Sequence, residues 1–227
     1  MRRVIDRRQL IQRCACAALG GVAWARYGSA WGQGAPLPDM KPQQVAPGCW
    51  FVEGLSALGS PANQNFISNA GFVVTSAGVV VIDALGSPAL AERLVAEIKK
   101  ITPQKITHVV LTHYHADHVY GLQVFEKLGA RIIAHQAGRQ YLYADTARLR
   151  LEQSRKDLAP WIDEQTQLAA ATEWIDARRE LTVGDTRLVI QPVGPAHTPE
   201  DLALYLPDKT VLYAGDLVFR SRIPFVG

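Results

Sequence analysis

Short apolar runs bounded by Gly, Pro, Ser or Asn recur from residue 49 of this 227-residue chain onward, and each predicts a β-strand. The runs lie at residues 49–53, 71–75, 79–83, 106–111, 130–134, 180–183, 188–193, 202–205 and 211–214. The strands come in clusters separated by stretches that favour helix, which indicates an α/β fold in which sheets are backed by helices.

Three intervening stretches, residues 88–101, 119–128 and 136–158, are predicted to be helical. In the first of them, Pro88 suits a helix start, and Leu90, Leu94 and Ile98 recur on one face. The third is long and charged, which is typical of a surface helix or a lid over a site.

Two further segments carry no clear periodicity. Residues 31–48 are rich in Gly, Pro and Gln, and we interpret them as a linker. Residues 54–68 are polar, contain Gly and Pro, and are long enough to form a flap. Residues 49–227, which include this flap, are enough for one domain with a sizeable core.

Charge is distributed unevenly along the chain, whose formal net charge is +3. Residues 1–30 hold six Arg and one Asp, a balance of +5, which leaves 18 basic and 20 acidic residues in the rest. A nearly neutral body without a basic run argues against a nucleic-acid partner.

Residues 1–30 have the features of a secretory signal peptide. The apolar part, residues 14–25, is too short for a membrane span, which needs about 20 apolar residues. Small residues at 28–30 offer a cleavage site, and the pair Arg7-Arg8 resembles the bacterial twin-arginine signal, which exports folded proteins. We therefore expect a periplasmic protein, with a basic N-terminus of no targeting role as the alternative.

Cysteine usage agrees with a chain that has no disulfide. Cys14 and Cys16 would be removed with the signal, so Cys49 would have no internal partner. Its place at the start of an apolar run predicts that it packs in the core.

The strongest chemical signal is the cluster His113, His115, Asp117 and His118, which directly follows the apolar run 106–111. Residues two apart in an extended segment point the same way, so His113 and His115 can converge on one metal ion. On a helix they would diverge by roughly 200°. Asp117 and His118 add a carboxylate and a third imidazole to the same volume.

Two later residues also follow predicted strands. His197 comes after the run 188–193 and lies between two prolines, which suits a ligand held in a stiff loop. Asp216 follows the run 211–214. Because α/β folds assemble their sites from the ends of several strands, we expect both to join the first cluster.

Taken in order, these motifs (His-x-His-x-Asp-His, then His-Thr-Pro, then Gly-Asp) resemble those of the metallo-β-lactamase superfamily, over residues 49–227. The resemblance implies a four-layer αβ/βα sandwich with metal ions at the sheet edges. Residues 196–198 and 215–224 are similar to a narrower group, the exported quinoprotein relay system zinc metallohydrolases.

The resemblance also implies two zinc ions held by histidine and carboxylate side chains. The first would be bound by His113, His115 and His197, and the second by Asp117 and His118, with Asp216 bridging the two. Three imidazoles leave zinc an open position for water, whose pKa falls to about 7. Asp117 would then orient or deprotonate that water as a catalytic residue.

The sequence departs from the family pattern in two ways. Glu200 stands where many relatives have Gly, so their substrate contacts cannot be carried over. Members also supply a further histidine to the second zinc well after the Gly-Asp motif, whereas this sequence ends at Gly227. We therefore expect a C-terminally incomplete domain whose natural reading frame continues and supplies that histidine.

The function that we expect is an exported zinc hydrolase acting on an ester, thioester or lactam-like carbonyl of a small molecule. One alternative is a mononuclear iron dioxygenase of the same fold, because iron and zinc share ligand types. Another is a non-catalytic periplasmic module that binds zinc or a redox partner.

Two histidines outside the motifs supply a test of the metal prediction. His108 is predicted to be a core residue of its strand, and His135 either to cap the following helix or to support a metal-binding histidine, and neither to bind metal itself. His115→Ala should therefore remove far more bound metal than His108→Ala or His135→Ala, as measured by elemental analysis of the purified variants. Equal losses in the three variants would contradict the assignment.

Overall fold

The structure is a computed structural model that describes residues 39–220. The predicted signal peptide, most of the predicted linker and residues 221–227 lie outside the described residues. Among those that are described, no helix is both long enough and apolar enough to cross a membrane.

Seven strands form the first sheet, and their spatial order follows the chain. They are β1 (Gln43–Ala46), β2 (Cys49–Val52), β3 (Ala70–Thr75), β4 (Gly78–Ile82), β5 (Ile106–Val110), β6 (Arg131–His135) and β7 (Glu173–Ile175). Strands β1 to β4 pair antiparallel through short connections, whereas β4 to β7 pair in parallel. Parallel pairs need crossover connections, which helices supply here.

Five α-helices make these crossovers. They are α1 (Pro88–Ile101), α2 (Ala116–Val119), α3 (Leu122–Lys127), α4 (Gly138–Leu142) and α5 (Asp145–Asp157). Helix α1 has the predicted bounds and buries Leu90, Leu94 and Ile98 as expected. The Ser87 hydroxyl caps it by accepting a hydrogen bond from the Leu90 N–H at 3.3 Å.

Four antiparallel strands form the second sheet, in the order β11-β10-β9-β8. They are β8 (Arg179–Val183), β9 (Thr186–Pro192), β10 (Leu202–Leu206) and β11 (Val211–Tyr213), with 3-10 helices at Pro207–Lys209 and Gly215–Leu217. One apolar core lies between the helices and the first sheet, and a second lies between the two sheets. Helices, first sheet and second sheet are thus three layers of the expected α/β sandwich.

The prediction that residues 31–48 are a linker is wrong near its end, because Gln43–Ala46 forms a strand that pairs with β2. The Pro47-Gly48 connection hides it in the sequence, since such residues also mark loops. Gly48 has a φ of +76°, a value that favours glycine, and so allows the tight turn. Cys49 begins β2 and is fully buried between the sheets, as predicted.

Each of the two later predicted helices is interrupted in the structure, so the prediction of one continuous helix is wrong in both cases. Residues 119–128 do not form one helix, because the chain turns at Gly121, where a Cβ atom would lie 2.1 Å from the Ala84 carbonyl oxygen. Residues 136–158 split into α4 and α5, because Ala144 adopts an extended backbone between them. Strand β7 was not predicted, since it is short and begins with the charged Glu173.

The predicted flap at residues 54–68 is irregular, as expected, and hydrogen bonds anchor it to the rest of the fold. The Trp161 Nε1–H donates to the Pro61 carbonyl at 2.8 Å. The Ser68 hydroxyl donates to the backbone carbonyl of Asp117. The flap is therefore attached directly to the segment that carries the histidine cluster.

The two histidines outside the motifs differ from each other. His108 is only half-buried, so its prediction as a core residue is wrong; its Nδ1 lies 2.9 Å from the Thr107 hydroxyl. His135 ends β6 and its Nδ1 accepts a hydrogen bond from the Ala137 N–H at 3.3 Å, directly before α4. That bond ends on the N-cap residue itself, and the helix has no side-chain capping bond, so the predicted capping of α4 is wrong.

Candidate metal centre

His113 and His115 lie in the segment between β5 and α2. His115 has an extended backbone (φ −73°, ψ 149°) and immediately precedes α2. The two imidazole rings are 4.7 Å apart between centroids. The expected extended conformation of this segment is therefore present, and it brings the two rings together.

Helix α2 adds the other two residues of the cluster. The His118 ring lies 4.3 Å from the ring of His113. The Asp117 carboxylate places Oδ2 at 3.7 Å from His118 Nε2. One turn of helix thus returns His118 to the histidine pair.

His197 reaches the same place from the loop between β9 and β10. Its Nε2 lies 3.0 Å from His115 Nδ1, and its ring is 5.0 Å from the ring of His113. The loop is stiffened by Asp201, whose carboxylate accepts hydrogen bonds from the N–H of Thr198 at 2.7 Å and from its hydroxyl at 2.8 Å. His197 is therefore held by a local network as well as by two prolines.

Asp216 comes from the 3-10 helix after β11. Its Oδ1 lies 3.3 Å from His118 Nε2, and its Oδ2 lies 3.7 Å from His197 Nε2. The preceding Gly215 has a φ of +54°, and a Cβ atom there would lie 2.7 Å from the Thr112 side chain. Glycine is required for this close approach, which brings the carboxylate between two histidines.

Two groups of side chains in the described part of the chain converge closely enough to hold a metal ion. The first is His113, His115 and His197; the second is His113, His118 and Asp216; within each group the ligand atoms lie within 4.8 Å of one another. Asp117 belongs to neither group, although its carboxylate is next to His118. The structure thus brings the six predicted residues to one place.

A buried carboxylate outside the six, that of Asp83, orients two of the histidines. Asp83 Oδ1 accepts from the Thr112 N–H at 2.8 Å, and Oδ2 accepts from the Thr112 hydroxyl at 2.8 Å. Because that hydroxyl gives its only proton to Asp83, it must accept from His113 Nδ1, which is 3.0 Å away. Asp83 Oδ2 also accepts from His118 Nδ1 at 2.9 Å.

These bonds select the tautomers of both rings. With Nδ1 protonated, His113 and neutral His118 carry their lone pairs on Nε2, and both Nε2 atoms point into the cluster. His113 Nε2 is buried and has no hydrogen-bond partner among residues 39–220. An orphaned buried nitrogen is costly unless a ligand satisfies it, so the residues present fit a metal ion.

Burial controls the protonation of His113 and His115. Burial, reinforced by the neighbouring histidines, holds the pKa of His113 well below its ordinary value. Burial and the adjacent His197 lower the pKa of His115 to about 4. Both rings are therefore neutral at neutral pH, which metal ligation requires.

His118 differs because carboxylates surround it. Burial acts to lower its pKa, but Asp117, Asp83 and Asp216 together raise it well above the ordinary value. The same negative field favours a cation in this part of the centre. A mixed set of imidazole nitrogens and carboxylate oxygens suits zinc or iron.

Asp83 and Thr112 contact the candidate site, and the sequence analysis did not identify them. Asp83 ends the run 79–83, and Thr112 lies between the run 106–111 and the histidine cluster. The signal was present, because a carboxylate at the end of an apolar strand is the same feature that marked Asp216. The sequence could not show, however, which histidine the Asp83 carboxylate contacts.

Asp83→Asn tests this orienting network. An amide can accept from the Thr112 N–H, but its NH₂ would then face protons on the Thr112 hydroxyl and His118 Nδ1. We expect metal affinity, measured by chelator competition, to fall by about 10- to 100-fold. Asp185→Asn is the matched control, because Asp185 accepts from the Ser76 N–H in an exposed turn. Unchanged affinity in Asp83→Asn would contradict the network.

Residues 64–227 match the family model described as the metallo-beta-lactamase superfamily. Among curated proteins, the chain is 27% identical over 166 residues to a metallo-beta-lactamase type 2 of Bacillus sp. (strain 170), covering 73% of this chain and 56% of the relative. It is also 27% identical over 145 residues to the 2,4-dinitroanisole O-demethylase subunit alpha of Nocardioides sp. (strain JS1661), covering 63% and 39%. The chain thus spans about half or less of the length of these relatives.

Solved structures share the fold at lower identity. The metallo-beta-lactamase IND-7 superposes with a TM-score of 0.65 at 21% identity, covering 85% of this chain and 78% of that one. A metallo-beta-lactamase from Pontibacter korlensis gives a TM-score of 0.63 at 19% identity, covering 83% and 77%. With the family model matching well over half of its residues, the chain belongs to the metallo-beta-lactamase superfamily.

Proposed function

We propose that this chain is a zinc-dependent hydrolase that uses a metal-activated water against an ester, thioester or lactam-like carbonyl. The observation that carries the proposal is the convergence of four imidazoles and the Asp216 carboxylate in two groups that share His113, whose buried Nε2 is orphaned. Membership of a superfamily composed mostly of hydrolases supports the reaction class.

The residues divide into two ligand sets that have His113 in common. His113, His115 and His197 form an all-imidazole set, and His118 with the carboxylates forms a more negative one. When bound, zinc supplies Lewis acidity and lowers the pKa of a coordinated water to about 7. Asp216 directs one oxygen toward each set, which suits a bridging role.

Side-chain exposure supports an approach of the substrate from the side of the carboxylates. The side chains of His118 and His197 are 2% and 6% exposed, whereas those of Asp117 and Asp216 are 21% and 20% exposed. The open side is therefore the carboxylate side. Asp117 Oδ2 lies on that side, where it orients the attacking water and accepts its proton.

We further propose that the protein acts outside the cytoplasm on a small molecule. Support comes from the sequence alone: the Arg-rich residues 1–30 resemble a signal peptide, and the later motifs are similar to those of the exported quinoprotein relay group. A periplasmic redox partner is compatible with the same resemblance.

The proposal is tested with the purified, zinc-loaded chain on an activated ester, an acyl thioester and a β-lactam. At least one substrate should be hydrolysed, with the rate lost after chelation and restored by zinc. Asp117→Asn should keep the zinc held by His113, His115 and His197 and lower kcat by about 10²-fold or more, because a proton acceptor is removed. Asp185→Asn, in the exposed turn, should leave kcat unchanged.

Two results would contradict the proposal. Hydrolysis that survives both chelation and His197→Ala would place the reaction elsewhere. A chain that purifies with one iron and consumes oxygen, without hydrolysing any substrate, would favour the dioxygenase alternative.

A further inference from the structure

A buried carboxylate that the proposed reaction does not use lies next to the candidate metal centre. Glu200 follows His197 by three residues, and only 6% of it is exposed. Its Oε1 accepts a hydrogen bond from the backbone N–H of Tyr114 at 3.3 Å. Tyr114 is the residue between His113 and His115, so this bond joins the two segments that supply the imidazole set.

A second bond joins the same two segments. The Leu202 N–H donates to the Thr112 carbonyl at 2.8 Å. Thr112 and Tyr114 are therefore both fixed to residues 200–202, the first by backbone and the second by a side chain. The backbone bond fixes the segment at Thr112, upstream of both His113 and His115, whereas the Glu200 bond fixes it between them.

Packing leaves the Glu200 side chain little freedom. A Cβ atom on Gly138 would lie 3.6 Å from Glu200 Cγ and 2.7 Å from the Tyr114 ring, so α4 begins directly against both residues. On its other side the Tyr114 ring stacks on Trp174, with centroids 5.9 Å apart and planes inclined by 18°. The length of the Glu200 side chain therefore determines whether its carboxylate reaches the Tyr114 N–H.

We propose that Glu200 is a positioning residue that holds His115 in register with His197 through the Tyr114 N–H. Removing the acceptor leaves that buried N–H unpaired and frees the segment between Thr112 and α2 to shift. The separation of 3.0 Å between His115 Nδ1 and His197 Nε2 then loses one of its supports. This inference rests on the proposed metal function, because its consequence is a change in metal binding.

The test compares three substitutions of Glu200 in the full chain, with zinc affinity measured by chelator competition. Glu200→Gln keeps an acceptor at the same reach and should bind within about threefold of wild type, since the bond needs no charge. Glu200→Asp keeps the charge but withdraws the acceptor by one methylene, and Glu200→Leu removes the acceptor. Both should bind zinc about tenfold or more weakly, the range seen when the supports of metal ligands are lost.

Cobalt spectra and a control pair separate positioning from general destabilisation. Visible absorption of the Co²⁺-loaded chain reports ligand geometry, and it should change in Glu200→Asp but not in Glu200→Gln. Glu97 is a buried glutamate on α1 that pairs with Arg93 and Lys100. Glu97→Gln and Glu97→Leu should therefore lower stability without altering zinc affinity or the cobalt spectrum.

The outcomes are distinct. Affinity in the order wild type, Gln, then Asp and Leu supports positioning, and the Gln and Asp variants decide the matter even if the Leu variant does not fold. Wild-type affinity in Glu200→Asp, or equal losses in the Gln and Leu variants, would overturn the inference. If the wild-type chain itself binds neither zinc nor cobalt, the proposed function fails instead.

Discussion

The candidate centre depends on the buried carboxylate of Asp83 more than on any other contact. Asp83 is 2% exposed and lies at the end of β4 with a φ of +62°, a conformation that few residues other than glycine adopt. Through Thr112 it fixes His113, and directly it fixes His118. Strained backbone at such a place agrees with a functional constraint, because the strain persists only where surrounding contacts hold it.

This constraint explains how separate parts of the chain can make one site. Asp83 follows β4, the histidine cluster follows β5, His197 follows β9, and Asp216 follows β11. Two of these strands belong to the first sheet and two to the second, with an apolar core between the sheets. The core sets the distance between the sheets, and hydrogen bonds across the strand ends set the orientation of the imidazoles. Stability and metal binding are therefore linked through the same residues.

The part of the site that is local in sequence could be predicted, and the part that is long-range could not. The two-residue spacing of His113 and His115 after an apolar run was sufficient to predict their convergence. Helix α1 could likewise be predicted, since its cap and its apolar face are both formed by residues that are close in sequence. In contrast, the contact of Asp83 with His118 spans 35 residues, and that of Glu200 with Tyr114 spans 86.

The wrong predictions have the same origin. Gly121 breaks a helix because its backbone packs against Ala84, a contact that periodicity cannot show. Strand β1 forms because β2 offers it an edge, although its own composition favours a loop. Glu200 was treated as a departure from a family pattern, whereas the structure gives its carboxylate a backbone partner. In each case a tertiary contact, and not the local preference of the sequence, determined the structure.

The most direct test of the central claim is X-ray absorption at the zinc edge of the zinc-loaded chain. The account predicts nitrogen and oxygen neighbours at about 2.0–2.1 Å with the outer-shell scattering of several imidazoles, and no sulfur at about 2.3 Å. Cys49 is fully buried between the sheets, so sulfur scattering would point to Cys14 or Cys16 and to a different site. Sulfur ligation, or oxygen neighbours without imidazole scattering, would contradict a metal centre built from these histidines.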